Sequence, residues 1–345
     1  MDEHLPIFGI AGFGGSGKTT LLERVLPALR ERGLRTAVIK HAAHGFAPGK
    51  ADTDDARLRK LAPDVLVQSP AGALLNGQPT EQTDFSQAAA MLARRNDLVL
   101  VEGYKCAPIE KAWLADADNP QPPADVANVK LVLPPGDARA EALLTLLDGW
   151  LAEKSRQTPL AGCVLIGGQS RRMGRPKHRI ETNGQTWLAR TADVLRRVCG
   201  EVVIVGVGEV GEDAAGLPRL SDAPDASGPM AGLLAALRHR PTSAWLAAAC
   251  DLPGLSTDAL QWLIAQRRVG AWAVLPRRDG GDRVEPLPAV YDFRAAVLLE
   301  ERSRLGSFRL NDLAGHAKVL APTIPAELAP AWRNVNTPEQ LGGAS

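Results

Sequence analysis

Three features are scarce or missing in this sequence: long hydrophobic runs, an excess of charge of one sign, and closely spaced cysteines. The apolar runs are far shorter than the roughly 20 residues that a membrane span needs, and the acidic first residues do not resemble a signal peptide. A formal net charge of +1 argues against binding to duplex nucleic acid. The four cysteines have no CxxC spacing, which indicates reduced, mostly buried thiols and no metal site. We therefore expect a soluble cytoplasmic protein that contacts neither a membrane nor nucleic acid.

The chain is long enough for two domains. A single core seldom extends over 345 residues, and two domains of roughly 150 to 190 residues are the natural expectation. Strand-like apolar runs alternate with helical stretches in both halves, which predicts two α/β domains with parallel sheets and right-handed crossovers. A polar stretch that ends in proline, residues 154–159, is typical of a linker. The predicted domains are therefore residues 1–153 and 160–345, and no obvious repeat relates them.

The sequence GFGGSGKT at residues 12–19 satisfies the G-x-x-x-x-G-K-[ST] pattern of a phosphate-binding P-loop. An apolar strand precedes it and a helix follows, as the motif requires. Backbone N–H groups of such a loop bind phosphate oxygens, Lys18 reaches the β- and γ-phosphates, and the Thr19 hydroxyl holds Mg²⁺. The predicted nucleotide-binding residues here are Gly12, Gly14, Gly15, Ser16, Gly17, Lys18, Thr19 and Thr20.

A P-loop site also needs a carboxylate at the end of a buried strand, which engages the Mg²⁺ shell. Glu102 follows the continuous apolar run at residues 98–101, as expected after a strand buried on both faces. It is our candidate for this carboxylate, and the alternative is a solvated glutamate at a strand end. His41 and His44, three residues apart after another strand, are either metal ligands or ordinary solvated loop histidines.

These segments, in this order, resemble the MobB family of GTP-binding accessory proteins in molybdopterin-guanine dinucleotide biosynthesis. The resemblance covers about residues 6–150 and rests on GSGKTTLLERVLPAL, RTAVIKHAAHGF and LVLVEGYK. It implies a P-loop NTPase-type parallel sheet that binds GTP, hydrolyses it weakly and is usually dimeric. Asp52 and Thr53 are similar to an acidic-Ser/Thr pair of that family.

A second glycine-containing loop of different design occupies residues 164–177, VLIGGQSRRMGRPK. It lacks the P-loop spacing, but paired glycines after a strand let the backbone approach a base or a phosphate closely. Arg172 offers a planar fork for phosphate oxygens and Lys177 a mobile point charge. Positioned cations stabilise the charge that develops when pyrophosphate is displaced from a nucleoside triphosphate. The alternative is a basic surface loop.

Further polar positions accompany the second loop. Asp251 comes just after a buried strand, where sites form in parallel sheets, and a carboxylate there is a good Mg²⁺ ligand. Asp222, ahead of a turn that opens a helix, either pairs with a guanine edge or caps the turn. Asn334 and Asn336 either reach a ligand or cap the helix start near Pro338.

Together these stretches resemble the MobA family of molybdenum cofactor guanylyltransferases. GGQSRRMGRPK, SDAPDASGPMAGLLAAL, ACDLP and NVNTPEQL occur in the family's order over about residues 160–342. The resemblance implies a Rossmann-like nucleotidyltransferase domain of the GT-A-like type, with guanosine on Asp222, Mg²⁺ on Asp251, and the reacting phosphates near Arg172 and Lys177. The predicted catalytic residues are Arg172, Lys177 and Asp251. The predicted GTP-binding residues are Leu165, Ile166, Gly167, Gly168, Lys177, Asp222 and Asn336.

Two departures from the MobA pattern keep a cytidylyltransferase open as an alternative. Pro176 stands where the family commonly has an aspartate, as in related cytidylyl- and sugar-nucleotidyltransferases. Residues 206–208, GVG, replace a segment that often contains asparagine. The paired Gly167 and Gly168 resemble the guanylyl branch, and the MobB-like neighbour also favours GTP.

The two resemblances imply a bifunctional protein of molybdenum cofactor biosynthesis, which transfers GMP from GTP to molybdopterin, with or without molybdenum, in a Mg²⁺-dependent reaction. Residues 277–283 are candidates for the pterin contact. The expected partners are a second copy bound through the N-terminal domain, molybdoenzyme apoproteins, cofactor chaperones and the molybdenum insertion protein. The alternatives are a non-catalytic GTP-binding scaffold that delivers the cofactor, and a sugar-1-phosphate nucleotidyltransferase.

Overall fold

The computed structural model describes residues 2–42, 54–167, 176–281 and 283–335. The chain forms two compact units, Met1–Gln157 and Thr158–Ser345. Each unit contains its own large sheet with helices packed on it.

The first unit contains one eight-stranded sheet. Its strands are β1 (Ile7–Ala11), β2 (Thr36–His41), β3 (Asp64–Ser69), β4 (Gly72–Leu75), β5 (Gln78–Thr80), β6 (Leu98–Glu102), β7 (Lys111–Leu114) and β8 (Val129–Leu133). They lie in the order β5-β4-β3-β2-β6-β1-β7-β8. All neighbouring pairs are parallel except those that involve β4. The helices are α1 (Lys18–Glu31), α2 (Asp54–Arg59), α3 (Phe85–Ala93) and α4 (Arg139–Gln157).

The antiparallel edge formed by β4 and β5 was not predicted from the sequence. Two-residue connections join β3 to β4 and β4 to β5, and such short connections permit only antiparallel pairing. Asn76 and Gly77, with φ of 52° and 82°, form the second connection. Asn-Gly is the strongest short hairpin signal that a sequence can carry, so this turn could have been identified in advance.

The predicted linker is wrong over most of its length. Helix α4 continues to Gln157, and only Thr158 and Pro159 separate it from the next strand. The ammonium of Lys154 donates to the carbonyl oxygen of Glu3 at 2.6 Å and pairs with Glu110 at 2.8 Å. These contacts tie the polar end of the helix to the first unit, and the boundary between the units, at Gln157 and Thr158, lies inside the predicted stretch.

The second unit contains a seven-stranded sheet and a small hairpin. Its strands are β9 (Leu160–Leu165), β10 (Glu181–Thr182), β11 (Gln185–Thr186), β12 (Glu201–Val205), β13 (Arg219–Leu220), β14 (Ala244–Ala249), β15 (Ala273–Val274), β16 (Ala289–Tyr291) and β17 (Val319–Leu320). The large sheet has the order β13-β12-β9-β14-β16-β15-β17, and β10 pairs with β11. Only β16 runs antiparallel to its neighbours in the large sheet. The helices are α5 (Trp187–Arg196), α6 (Pro229–His239), α7 (Thr257–Ala265) and α8 (Ala295–Arg304).

The large sheet of the second unit is covered on both faces. Successive residues of β9 belong to different cores, with Val164 in one apolar cluster and Cys163 in the other, as the alternation of side chains along a strand requires. The same burial holds in the first unit, where every residue of β1 and β6 is buried. Because the faces are occupied by core side chains, polar groups that meet a ligand must come from the strand ends and the loops that follow them.

Candidate nucleotide-binding sites

The loop between β1 and α1 owes its shape to glycines. Gly15 and Gly17 have φ of 76° and 88°, a region that residues with a Cβ rarely adopt. A Cβ at Gly12 would lie 2.9 Å from the carbonyl oxygen of Leu114, which is too close for any side chain. At Gly14 a Cβ would meet no described atom within 4 Å. Three of these glycines therefore serve the fold of the loop, while the fourth keeps its surface open.

Lys18, the first residue of α1, turns back over this loop. Its Nζ donates to the carbonyl oxygens of Gly12 at 3.1 Å and Phe13 at 2.6 Å. Burial lowers the pKa of Lys18, and the negative charge of Glu102 opposes that shift. The ammonium is thus held against the loop by main-chain oxygens, and a bound phosphate would compete with those oxygens for it.

Arg139, at the start of α4, supports the loop from a distant part of the sequence. Its guanidinium donates to the carbonyl oxygens of Ser16 at 2.9 Å, Pro134 at 2.7 Å and Ala115. Thr20, also predicted to contact nucleotide, is an exposed residue of α1. Arg139 was not predicted as a site residue, because no local motif distinguishes it from other helix residues.

The Thr19 hydroxyl meets two carboxylates. Its Oγ1 lies 3.1 Å from Oδ2 of Asp54 and 3.0 Å from Oε1 of Glu102. Glu102 is 6% exposed, and its Oε2 has no hydrogen-bond partner among the described residues. A buried carboxylate oxygen without a partner is costly, and a cation would satisfy it. One hydroxyl and two carboxylates are the oxygen donors that Mg²⁺ prefers, so these residues fit that ion.

Lys40 joins the same group of charges. Its Nζ lies 2.8 Å from Oδ2 of Asp54 and 3.6 Å from Oε1 of Glu102. The hydrogen bond from Lys40 is the largest cause that holds the pKa of Asp54 below its ordinary value. Lys40 is aligned with Glu102 on the neighbouring parallel strand. Neither Lys40 nor Asp54 was predicted as a site residue, although a lysine at the end of the apolar run TAVIK was a visible signal.

His41 packs against an aromatic side chain in the described residues. The centroid of its ring lies 4.6 Å from that of Tyr104, and the Tyr104 hydroxyl donates to Oε1 of Gln68 at 3.0 Å. Within the described ranges, no three His, Cys, Asp or Glu side chains are grouped as metal ligands. Outside those ranges lie His44, Asp52 and Thr53.

The second candidate site lies where β9, β12 and β14 end at one edge of their sheet. Leu165 is aligned with Val205 on one side and Ala249 on the other. Ile166 and the exposed Gly167 follow directly at the carboxyl end of β9. Ligands of parallel α/β sheets bind at this edge, so the structure places this part of the glycine loop where a nucleotide site is expected.

Lys177 and Asp251, predicted as members of one site, contact each other directly. Lys177 Nζ lies 2.7 Å from Oδ2 of Asp251, and the two side chains are 19% and 15% exposed. The other carboxylate oxygen, Oδ1 of Asp251, is buried without a hydrogen-bond partner in the described part of the chain. Burial raises the pKa of the neighbouring Cys250 thiol to about 12, which leaves that thiol chemically inert. The unpartnered oxygen of Asp251 fits a cation, as that of Glu102 does in the first unit.

Gly206 explains one of the two departures from the MobA pattern. Its φ is 117°, and a Cβ there would lie 2.1 Å from the carbonyl oxygen of Ile166. A Cβ at Gly208 would lie 2.7 Å from the ring of His178. The chain after β12 therefore passes too close to the start of the glycine loop for any side chain at residue 206.

Asp222 follows β13 at the same edge of the sheet. Its Oδ1 would be 3.2 Å from a Cβ at Gly232, so the glycine on α6 leaves room for this carboxylate. Partial burial raises the pKa of Asp222. Helix α6 begins at Pro229 without a side-chain cap from any described residue. Asp222 therefore does not cap this helix, and its contact with a guanine edge or with the preceding turn stays a prediction.

The end of the described chain also reaches this site. The backbone N–H of Val335 donates to the carbonyl oxygen of Asp251 at 3.1 Å, and the preceding Asn334 is exposed. Three predicted site residues lie outside the described ranges, namely Gly168, Arg172 and Asn336.

The loop proposed for the pterin follows β15 at the same sheet edge, since β14 and β15 both run antiparallel to β16. Arg278 donates to the carbonyl oxygen of Trp332 at 2.6 Å and pairs with Glu285 at 2.8 Å. Arg277 and Arg283 are exposed. One arginine therefore holds the loop, and the other two are accessible to a ligand.

Fold and sites together define a chain that joins a P-loop nucleotide-binding domain to an α/β domain of the nucleotidyltransferase type. None of the described helices combines the length and the apolar character needed to cross a membrane.

Comparisons with known proteins agree with this class. Residues 7–132 match the family model described as molybdopterin guanine dinucleotide synthesis protein B, and residues 162–321 match the MobA-like NTP transferase domain. A probable molybdenum cofactor guanylyltransferase of Rhodopirellula baltica is 34% identical over 200 residues, which cover 53% of this chain and 90% of that protein. A molybdopterin-guanine dinucleotide biosynthesis adapter protein of Haemophilus influenzae is 36% identical over 116 residues, which cover 33% of this chain and 65% of that protein. A molybdenum cofactor biosynthesis bifunctional protein of Synechocystis is 32% identical, covering 54% of each chain.

The chain therefore belongs to the molybdenum cofactor guanylyltransferase family, and its residues 7–132 match the MobB family model. The predicted family resemblance, the two-domain α/β fold class and the assignment as a nucleotidyltransferase are confirmed.

Proposed function

We propose that the second unit transfers GMP from GTP to molybdopterin, with or without molybdenum, and releases pyrophosphate. An oxygen of the terminal phosphate of molybdopterin attacks the α-phosphorus of GTP. The bond from that phosphorus to the β-phosphate oxygen breaks, and the electron pair leaves with pyrophosphate. The attacking phosphate is already an anion, so no general base is required. The observation that carries the proposal is the Lys177–Asp251 pair, with its unpartnered carboxylate oxygen, at the carboxyl edge of a matching domain.

Positioning and charge neutralisation are the contributions of this chain to the reaction. Asp251 would hold Mg²⁺, which neutralises phosphate charge when bound. Lys177 would contribute positive charge toward the triphosphate, and Arg172 would join it. Asp222 would receive the guanosine part of GTP. The accessible arginines at residues 277 and 283 are candidates for the pterin phosphate.

The first unit is proposed to bind GTP with Mg²⁺ on Thr19 and Glu102 and to hydrolyse it weakly. Three roles are compatible with this domain: GTP hydrolysis, GTP supply to the second unit, and delivery of the product. Delivery would involve molybdoenzyme apoproteins, cofactor chaperones or the molybdenum insertion protein, and dimerisation would use this domain. Fusion in one chain raises the effective concentration of each domain near the other.

The test uses the purified full chain with molybdopterin, Mg²⁺ and GTP, CTP or ATP in separate reactions. We expect dinucleotide and pyrophosphate from GTP alone, and a loss of about two orders of magnitude or more in turnover for Asp251→Asn, because removal of one electrostatic stabiliser costs about that much. The variant should keep the wild-type fold, since the side chain is similar in shape.

Other results would contradict parts of the proposal. Product from CTP alone would assign a cytidylyltransferase. Full turnover in Asp251→Asn would exclude the proposed role of Asp251 as a Mg²⁺ ligand. Absence of pyrophosphate release with every nucleotide, together with retained GTP binding, would favour a non-catalytic scaffold.

A further inference from the structure

Four charged side chains surround the Thr19 hydroxyl in the first unit, where a minimal P-loop site needs fewer. Lys18 belongs to the motif, and Glu102 is the expected carboxylate. Lys40 and Asp54 are additional. Lys40 ends the buried part of β2, directly beside Glu102 in the sheet, and its side chain is 16% exposed. Burying an ammonium group is costly even when it is paired, which suggests that Lys40 has a functional role at this edge.

Lys40 and the Thr19 hydroxyl contact the same two carboxylate oxygens. These are Oδ2 of Asp54, at 2.8 Å from Nζ and 3.1 Å from Oγ1, and Oε1 of Glu102, at 3.6 Å and 3.0 Å. A divalent cation on the Thr19 hydroxyl and these two carboxylates would neutralise the negative charge that holds the ammonium. Binding of Mg²⁺ must therefore weaken the hold on Lys40, whose flexible stem lets the charge move.

A nucleotide bound at this site would offer the released ammonium of Lys40 another anionic partner. Lys40 Nζ lies 2.8 Å from the Asp54 oxygen that also contacts the hydroxyl of Thr19, the residue directly after Lys18, so both lysines lie at the same site. Lys18 lies against the phosphate-binding loop. A nucleoside triphosphate on that loop would bring negative charge to this site, and a diphosphate would bring less of it.

We propose that Lys40 is a second phosphate-binding lysine, which neutralises Asp54 and Glu102 in the nucleotide-free protein and moves to the γ-phosphate when Mg²⁺ replaces it. The inference rests on the proposed binding of a nucleoside triphosphate to the first unit. Lys40 then makes the domain discriminate between GTP and GDP, because only GTP carries the γ-phosphate to which the displaced ammonium moves.

Arg57 provides a matched control. Its guanidinium pairs with the other oxygen of Asp54, Oδ1, at 2.6 Å, and its side chain is 48% exposed. It also pairs with Glu23 at 2.7 Å. Arg57 therefore shares with Lys40 the task of neutralising and orienting Asp54, but it does not contact Glu102 or Thr19 in the described structure.

The experiment measures binding of GTPγS and GDP to the full-length protein in Mg²⁺ by calorimetry, for the wild type, Lys40→Gln and Arg57→Gln. Because the second unit also binds nucleotide, the P-loop component is defined as the binding that Lys18→Ala removes. We expect Lys40→Gln to weaken GTPγS binding to that component by about tenfold or more, as loss of a hydrogen bond between charged groups implies. GDP binding should change by less than about twofold, and Arg57→Gln should leave the ratio of the two affinities unchanged.

A second measurement guards against partial unfolding of the variant. Mn²⁺ binding to the nucleotide-free protein should become tighter in Lys40→Gln, because the competing ammonium is gone, and a partly unfolded site would bind Mn²⁺ more weakly. Equal losses for GTPγS and GDP, or no loss for either, would overturn the role of Lys40. Absence of any Lys18-dependent binding in the wild type would instead overturn the proposed function of the first unit, and the inference with it.

Discussion

Gly206 allows a quantitative test of how the second unit holds its glycine loop. Substitution by alanine places a Cβ 2.1 Å from the carbonyl oxygen of Ile166 at a φ of 117°. The backbone conformation alone costs about 1–3 kcal/mol for a residue with a side chain, and the forced shift of a packed neighbour costs roughly a further 1–3 kcal/mol. We therefore expect Gly206→Ala to lower the free energy of unfolding of the second unit by about 2–6 kcal/mol.

Two glycines of the same unit separate these contributions. Gly184 has a φ of 75° but open space around its Cβ position among the described residues, and Gly216 has the open space without the unusual φ. Alanine at residue 184 should cost about 1–2 kcal/mol. Alanine at residue 216 should be neutral or slightly stabilising, because it restricts the unfolded chain.

Urea unfolding followed by tryptophan fluorescence is the assay. Five of the seven tryptophans lie in the second unit, at residues 187, 245, 262, 272 and 332, so the signal reports mainly on that unit. The expected order of stability is Gly216→Ala, then Gly184→Ala, then Gly206→Ala. A Gly206→Ala protein as stable as Gly216→Ala would refute the argument that close backbone approach requires glycine after β12.

Two further predictions concern thiols and acid. Iodoacetamide at pH 8 should modify the exposed Cys106 and spare the other three thiols, because burial raises the pKa values of those three. Peptide mass spectrometry would show which cysteines are modified. Rapid labelling of any of the three buried thiols in the folded protein would contradict the prediction. The spared thiols are Cys163, Cys199 and Cys250. Burial alone would raise the pKa of Glu110, but hydrogen bonds from three side chains lower it to about 2. Stability from this carboxylate is therefore present above its unfolded pKa and is lost as pH falls toward 2. Urea unfolding at several pH values should show Glu110→Gln less stable than wild type near neutrality, with the difference shrinking through this acid range; a difference independent of pH would exclude the linkage. The three hydrogen-bond donors are Lys130, Lys154 and Trp150.

Local patterns predicted the elements that carry the two sites. The P-loop was recognised because its glycines, lysine and threonine are contiguous, and the buried strand predicted at residues 98–101 is observed as Leu98–Glu102. The antiparallel β4 and β5 were missed because both strands are short and β5 is exposed throughout. Residues 154–157 were predicted as linker but form the last turn of helix α4, because side-chain contacts rather than apolar periodicity hold that turn.

Contacts between distant residues were beyond prediction from sequence patterns. Thr19 meets Asp54 across 35 residues, and Arg139 reaches Ser16 across 123. Neither Asp54 nor Arg139 belongs to the P-loop motif, and no periodicity relates either residue to that motif. Lys177 and Asp251 were assigned to one site through a family resemblance, but their direct ion pair across 74 residues is visible only in the folded chain.

The sequence by itself determined that this protein has two α/β domains, each with its own glycine-containing loop, since strand and helix periodicities and loop motifs depend on neighbouring residues alone. The tertiary structure decided which charges meet. In the first unit the strand order places β6 between β1 and β2, and this order brings Glu102 beside both the P-loop strand and Lys40. Strand order follows from how the crossovers pack on the sheet, and no local pattern of residues encodes it.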